Sequence, residues 1–286
     1  PKFPPHATLR WLNARTEPRD LRTVVTSTPA QMEGNIIGQV ADTAPLGAAS
    51  PDQAVRGETL QTFDASIDPG YFGIGAGSDA SDRRDFVVDW VRGTTPERAD
   101  ARLGDIYHSS PVAVGPPRLD IADESYNLFR RLPGVADRPT MLYVGTNDGI
   151  LHAFVAEDWE SADGSETLDA GTELWGFIPP ILLSKLESAA ASHQVMLDGT
   201  PVVRDVFFER QPGAAPSGGI YRTVLVMGFR GGATGYFALD ITDPREPKFL
   251  WQFVGSGGAG GGTAYGSSYG TPTIGQVLID IGGGLE

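Results

Sequence analysis

Between Arg102 and Gly275 the chain repeats one pattern twice and begins it a third time. The first copy reads SSPVAVG (Ser109–Gly115), MLYVGTNDGILHAF (Met141–Phe154) and GTELWGF (Gly171–Phe177). The second reads GTPVVRDV (Gly199–Val206), VLVMGFRGGATGYFALD (Val224–Asp240) and KFLWQF (Lys248–Phe253). A third opens as GTPTIGQV (Gly270–Val277). Each copy has a small-residue–Pro–β-branched strand, an apolar strand ending at Gly, a glycine turn into an alternating strand, and a strand carrying Trp. That order of strands is the order in a β-propeller blade. The fold class expected is all-β: an incomplete β-propeller with long loop insertions and a few short helices.

The expected organisation follows from the repeat. Residues 1–100 read as an irregular lead-in, and 101–286 as a partial propeller of two full blades and the start of a third. The pairs Ser110-Pro111, Thr200-Pro201 and Thr271-Pro272 lie 90 and 71 residues apart, whereas a bare blade needs about 40–50. The excess falls in three insertions: the polar stretch Leu119–Arg138, the acidic stretch Glu157–Gly171, and Pro179–Ala191. The last predicts a helix, with proline at its start and Ile181, Leu182, Leu186 and Ala189 apolar. In the lead-in, Arg84–Gly93 predicts a helix with Phe86, Val87, Trp90 and Val91 on one face, Ser81 or Asp82 as cap, and Gly93 as stop. LRTVVTST (Leu21–Thr28) reads as a strand and 38–59 as a loop.

Composition supports a turn-rich β protein, with 37 Gly and 22 Pro in 286 residues. The 36 acidic and 22 basic side chains leave a formal charge of −14. Such a surface repels nucleic acid and anionic membranes, and no Lys/Arg cluster offsets it. There is no Cys, so disulfides and thiolate metal sites are excluded. No apolar run reaches transmembrane length. The chain opens at Pro1 without a charged-then-apolar leader, and is expected to be a piece of something longer.

Motifs that could carry chemistry each have a plainer reading. GSSYG (Gly266–Gly270) matches the nucleophile elbow G-x-S-x-G, but that motif needs a strand before Ser268 and a helix after it. Gly255, Gly257 and Gly260 spell G-x-G-x-x-G without the following helix that would hold a pyrophosphate. Asn147-Asp148-Gly149 lacks the downstream oxygen ligands of a calcium loop and reads as a hairpin turn. Asp158, Asp163, Glu166 and Asp169 are the better cation candidates by charge, though a solvated loop is the expectation. His6, His108, His152 and His193 are scattered, with no zinc spacing; His108 and His152 are expected in apolar strands and read as structural. Trp175 and Trp251 hold equivalent places in the two copies. Both are expected to be buried between blades, with carbohydrate stacking as the alternative. No catalytic, cofactor-binding or metal residue is assigned.

RLGDIYHSSPVAVGPP (Arg102–Pro117) resembles the opening of the propeller domain in the PilC/PilY family of type IV pilus tip proteins. The next blocks agree in order: Tyr143–Phe154, Glu173–Pro180, His193–Phe208, Tyr221–Pro244 and Tyr265–Gly275. DFVVDWVRG (Asp85–Gly93) is similar to the helix preceding that domain. The resemblance covers about Phe86–Val277 and implies a quinoprotein-like propeller in a large secreted protein. It implies a place on the cell surface at the pilus tip, associated with the outer membrane, and minor pilins as partners. The implied role is non-enzymatic: pilus assembly and extension, twitching motility, and adhesion to a surface or host-cell receptor. Calcium binding through an aspartate-rich loop is implied for the full-length protein, in a region that would lie past Glu286. The rival readings are a quinone-dependent propeller dehydrogenase and a propeller subunit of an outer-membrane assembly complex, since fold alone does not choose among them.

Two blades cannot close a ring and leave sheet edges unsatisfied. Residues 101–286 expressed alone are therefore expected to be insoluble or oligomeric in gel filtration; a cooperatively folding monomer would contradict the blade count.

Overall fold

The computed structural model describes residue 12 and residues 18–25, 36–38, 58–208, 220–255 and 268–275. The lead-in supplies β1 (Leu21–Thr23), β2 (Ile36–Gly38), β3 (Glu58–Thr59), β4 (Gln61–Thr62) and helix α1 (Ala80–Arg92). The first repeat supplies β5 (Val112–Val114), helix α2 (Glu124–Phe129), β6 (Met141–Gly145) and β7 (Leu151–Val155). It continues through a small hairpin of β8 (Trp159–Glu160) and β9 (Thr167–Leu168) to β10 (Glu173–Phe177). Short helices α3 (Pro180–Leu183) and α4 (Leu186–Ala191) lead to the second repeat, β11 (Val202–Phe208), β12 (Ile220–Gly228), β13 (Gly235–Asp240) and β14 (Lys248–Val254).

Each repeat folds into one antiparallel sheet of four consecutive strands, β5-β6-β7-β10 and β11-β12-β13-β14. This is the blade arrangement of a β-propeller. Turn chemistry sets the register. Gly149 at φ 87° closes the β6–β7 turn, where the Thr146 N–H donates to the Ile150 carbonyl and the Gly149 N–H to the Thr146 carbonyl, so Tyr143 falls opposite Ala153. The lead-in strands extend the outer edges of both sheets. β1 runs parallel to β10 and antiparallel to β4, while β2 and β3 pair with β14. Edge strands that would otherwise offer unpaired N–H and C=O groups are thereby covered.

The two sheets stack face to face on one apolar core. Met141, Tyr143, Ala153, Trp175 and Phe177 of the first meet Leu225, Met227, Phe237, Leu239 and Phe249 of the second. Phe177 lies 5.6 Å from Phe237 and 6.2 Å from Phe249, ring centre to ring centre. Trp175 is fully buried and its indole N–H donates to the Pro244 carbonyl at 2.7 Å. The outer face of the first sheet, with Val144 and Phe154, is covered by Leu12 and Leu103.

Trp251 departs from expectation: it is half-buried. Its register is that of Trp175. Trp175 stands opposite Ala153 and Trp251 opposite Ala238, each just after a one-residue irregularity, at Leu174 and Leu250. The two tryptophans therefore point the same way along the stack. The second sheet covers the face of Trp175. Over the face of Trp251 lie Pro272, Thr273 and Ile274, across a cleft of about 640 Å³. The repeat alignment is right and the burial differs, because burial depends on the neighbouring sheet.

The helices also differ in detail. The Pro179–Ala191 insertion forms two short helices, broken at Ser184-Lys185, where Lys185 turns its ammonium to the Gly232 carbonyl. The polar insertion contains an unanticipated helix, α2, capped by Asp123, whose carboxylate accepts the Tyr126 N–H at 3.0 Å. Helix α1 starts at Ala80 and stops at Gly93 in the left-handed conformation. It buries Val87, Val88 and Val91 and leaves Phe86 half exposed. Of LRTVVTST, Leu21–Thr23 is strand, and Thr26–Thr28 lie outside the described residues. In the stretch read as a loop, Gly38, Glu58 and Thr59 are strand, and 39–57 lie outside the described residues.

Replacing a fully buried aromatic by Ala costs about 3–5 kcal/mol. Trp175→Ala is expected to lose that much in urea unfolding of the intact domain, and Trp251→Ala clearly less. Equal losses would show that the two faces are covered alike.

Candidate functional site

The residues that could have carried chemistry are occupied with local structure. Ser268 forms an isolated β-bridge with Arg230 and is followed by no helix among the described residues; its hydroxyl accepts from the Phe229 N–H at 3.1 Å and donates to the Ala233 carbonyl at 3.3 Å. Gly257, Gly260, Gly266 and Ser267 lie outside the described residues, as does His6. Asn147-Asp148-Gly149 is a turn whose carboxamide bonds Asp105 at 2.6 Å and whose Asp148 pairs with Arg98 at 2.6 Å. In the acidic insertion, Asp163 accepts from the Ser165 and Ser161 hydroxyls at 2.6 and 2.7 Å. Those bonds, with the Ser165 N–H, hold its carboxyl down at about 2. Asp158 accepts the Ala170 N–H, and Glu166 pairs with Arg245, which also lies over the Trp159 ring at 4.6 Å. The acidic residues thus shape the β8–β9 hairpin and fasten it to the second sheet. Among the described residues no group of three or more His, Asp or Glu is arranged to hold a metal ion.

The histidines divide. His152 is buried in β7 and bonded to Glu173. His108, expected in an apolar strand, instead lies in coil before β5 with its ring partly exposed and hydrogen-bonded to Asp198. His193 is exposed against Asp105 at 2.8 Å.

A polar bridge that sequence reading missed ties the lead-in to the first sheet. Arg19 is buried, and its Nε and Nη2 donate to the two Glu173 carboxylate oxygens at 2.8 and 2.7 Å. His152 Nδ1 lies 2.6 Å from the same carboxylate, and its Nε2 is 3.0 Å from the Thr146 hydroxyl. Burial alone pushes the Glu173 carboxyl up; the Arg19 charge and hydrogen bonds, with those of His152, reverse this and hold it far below the usual carboxylate range. Burial opposes the Arg19 charge in the same way, and Glu173 more than offsets it, so the guanidinium is raised. Nothing in the local sequence around Arg19 announces a partner 154 residues away.

The first insertion is the exposed counterpart of this interior. Tyr126 of α2 is buried and donates to Asp205 at 2.9 Å, and Tyr221 of β12 donates to Asp123 at 2.9 Å. Burial first, then these carboxylates, push both phenols up to about 12. So clamped, the insertion presents Leu119, Ile121, Leu128 and Leu132 to solvent.

Four-stranded antiparallel sheets stacked blade on blade, with insertions projecting from them, define a β-propeller module. The chain belongs to a particular family of such modules, described as the PilY1 beta-propeller domain, which matches residues 103–279. It is 34% identical over 184 residues to the type IV pilus biogenesis factor PilY1 of Pseudomonas aeruginosa (strain UCBPP-PA14), covering 59% of this chain and 14% of that one. The PilY1 of strain PAO1 is 37% identical over 161 residues, covering 52% of this chain and 12% of that one. A PilY1 homolog of Xylella fastidiosa is 31% identical over 160 residues, covering 52% and 11%. The crystal structure of the P. aeruginosa PilY1 C-terminal domain shares 32% identity with a TM-score of 0.34, covering 50% of this chain and 25% of that one. The chain therefore spans no more than 14% of the length of these curated relatives.

Breaking a buried ion pair by removing one partner costs about 3–5 kcal/mol. Glu173→Gln is expected to lose that much at pH 7 in urea unfolding. The folded pKa of Glu173 is lowered, so the pair's contribution is complete above the unfolded value, about 4.3. It fades as pH falls towards the folded value. The gap between wild type and variant should therefore narrow from pH 5 to about 3; a constant gap would exclude the ionised pair.

Proposed function

We propose that this chain is part of a type IV pilus biogenesis factor that acts by contact at the pilus tip, outside the cell. The observation that carries the reading is its membership of the PilY1 propeller family, together with identities of 31–37% to proteins named as pilus biogenesis factors. In this reading the rigid sheets present their insertions to pilus components, with minor pilins as the partners. The same protein promotes pilus extension and twitching and adheres to a surface or host-cell receptor. In this reading it performs no turnover, which is supported by the serine of the nucleophile-like motif spending its hydroxyl on two backbone groups. Calcium, where the protein uses it, belongs to another part of the full-length chain. Among the described residues no helix is long and apolar enough to cross a membrane.

Deleting the gene is expected to lower surface pili, counted by electron microscopy, and adhesion together. Blocking pilus retraction in that strain should restore part of the piliation while adhesion stays impaired. Normal piliation and adhesion in the deletion strain, or quinone-dependent alcohol oxidation by the purified protein, would overturn the proposal.

A further inference from the structure

The Ser/Thr-Pro signature fixes one further position in every repeat. His108, Asp198 and Tyr269 each stand three residues before the proline, at Pro111, Pro201 and Pro272. The fold gathers these three at one end of the sheets. The His108 backbone N–H and ring Nδ1 lie 2.8 and 2.5 Å from the buried Asp198 carboxylate. Arg230, in the β12–β13 turn, has its Nε 3.6 Å from the same carboxylate oxygen as the His108 ring, and its guanidinium carbon lies 5.5 Å from the centre of the Tyr269 ring. An isolated β-bridge between Arg230 and Ser268 holds the two segments together.

Arg230 combines two features, a strained backbone and unused donors, the second shared with Arg222, whose Nε is likewise buried without a partner. Among the described residues it is the one non-glycine with positive φ, at 52°. Gly231 and Gly232 follow it, and glycine would adopt this conformation freely, whereas a residue with a Cβ is strained there. Its donors are also unused. Nε is buried with no hydrogen-bond partner. It lies 3.6 Å from Asp198, too far for a hydrogen bond. Neither Nη atom donates to a described acceptor. By contrast Arg98, Arg83 and Arg245 all close on a carboxylate within 2.9 Å. The strained backbone thus delivers a guanidinium whose Nε is buried beside Asp198 and whose two Nη groups are left unclaimed by described acceptors.

The surroundings resemble the centre of a protein interface. Tyr107 is 73% exposed, with its ring 4.1 Å from that of His108, and Tyr269 is 60% exposed. Exposed Val195 and Tyr269 both border Gly231, where an added Cβ would stand 3.4 and 3.6 Å from them. Tyrosine and arginine side by side, rimmed by apolar groups, are the enriched composition of binding hot spots. A planar guanidinium with free donors is matched bidentately by a carboxylate.

We infer that this rim recognises a carboxylate-bearing peptide segment of a protein partner, with Arg230 forking onto the carboxylate and Tyr107 and Tyr269 packing on the residues beside it. The inference rests on the contact role proposed above for its choice of a protein partner. Its test is a binding measurement, and so fails or succeeds independently of pilus counts in a deletion strain.

The test is biolayer interferometry of the full chain against immobilised peptides. The probes are a terminally blocked Ala-Asp-Ala-Asp-Ala, the same peptide with Asn for Asp, and a penta-alanine whose one carboxylate is its C-terminus. An oligoguluronate serves as an acidic sugar. One of the two carboxylate peptides is expected to bind at least about tenfold more tightly than the Asn peptide, the scale of one charge-assisted fork. Which of the two binds identifies the source, side chain or chain end. Arg230→Gly removes the strained Cβ, so the fold should persist by urea unfolding while the preference for carboxylate disappears. Tyr269→Ala should weaken binding with that preference retained. Equal binding of the Asn peptide, unchanged preference in Arg230→Gly, preference for the oligoguluronate, or no binding at millimolar peptide would each overturn the inference.

Discussion

The packing of one sheet's inner face on the next carries this structure. Neither four-stranded sheet has a core of its own. Trp175, Phe177 and Tyr143 are buried because Phe237, Leu239 and Phe249 stand across from them. A single antiparallel sheet of this size with one bare apolar face would not hold together in water. The dependence passes along the stack: the face of Trp251 repeats the face of Trp175 in register and composition, and is suited to another sheet of the same kind. The insertions inherit their rigidity from this packing, since α2 and the β8–β9 hairpin are both fastened to the second sheet.

The lead-in is bound to the sheets by two kinds of force. Leu21, Phe63, Phe72 and Val91 are buried in the same apolar core as the inner faces of the sheets. Backbone pairing at the outer edges and the bridge of Arg19 to Glu173 and His152 add direction to that burial. A buried, fully satisfied ion pair adds little net energy over an apolar pair but penalises any arrangement that leaves a charge alone. At this place it selects one docking of the segment over others.

What could be read from the sequence was what is local. Strand order and the β6–β7 turn follow from glycine and proline positions and from alternation within a few residues, and the helix ending at Gly93 follows from an apolar face and a stop. What escaped was set by distant partners. α2 lies in a polar stretch because its buried apolar residues are just Tyr126 and Phe129, which pack onto Tyr221 of a strand about a hundred residues on. The break at Ser184-Lys185 places Lys185 on Gly232. Trp251 carries the same signal as Trp175 and differs only in its neighbour. At the candidate sites, the Ser/Thr-Pro repeat marks the rim positions, but the positive φ of Arg230 and its open donors have no signature in the amino-acid order.

The parallel pairing of β1 with β10 also sets a timetable. Thr23 donates its hydroxyl hydrogen to Ile178, 155 residues further along. At about 5–20 residues per second, roughly 8–30 s of synthesis separate the appearance of β1 from that of its partner. Throughout that interval Leu21 and Arg19 can meet β4 and helix α1 but have no sheet to dock on, while β5, β6 and β7 can pair among themselves as soon as they are made. The first blade therefore assembles from its inner strands outwards. The segment that comes first in the chain is the last to be seated on it.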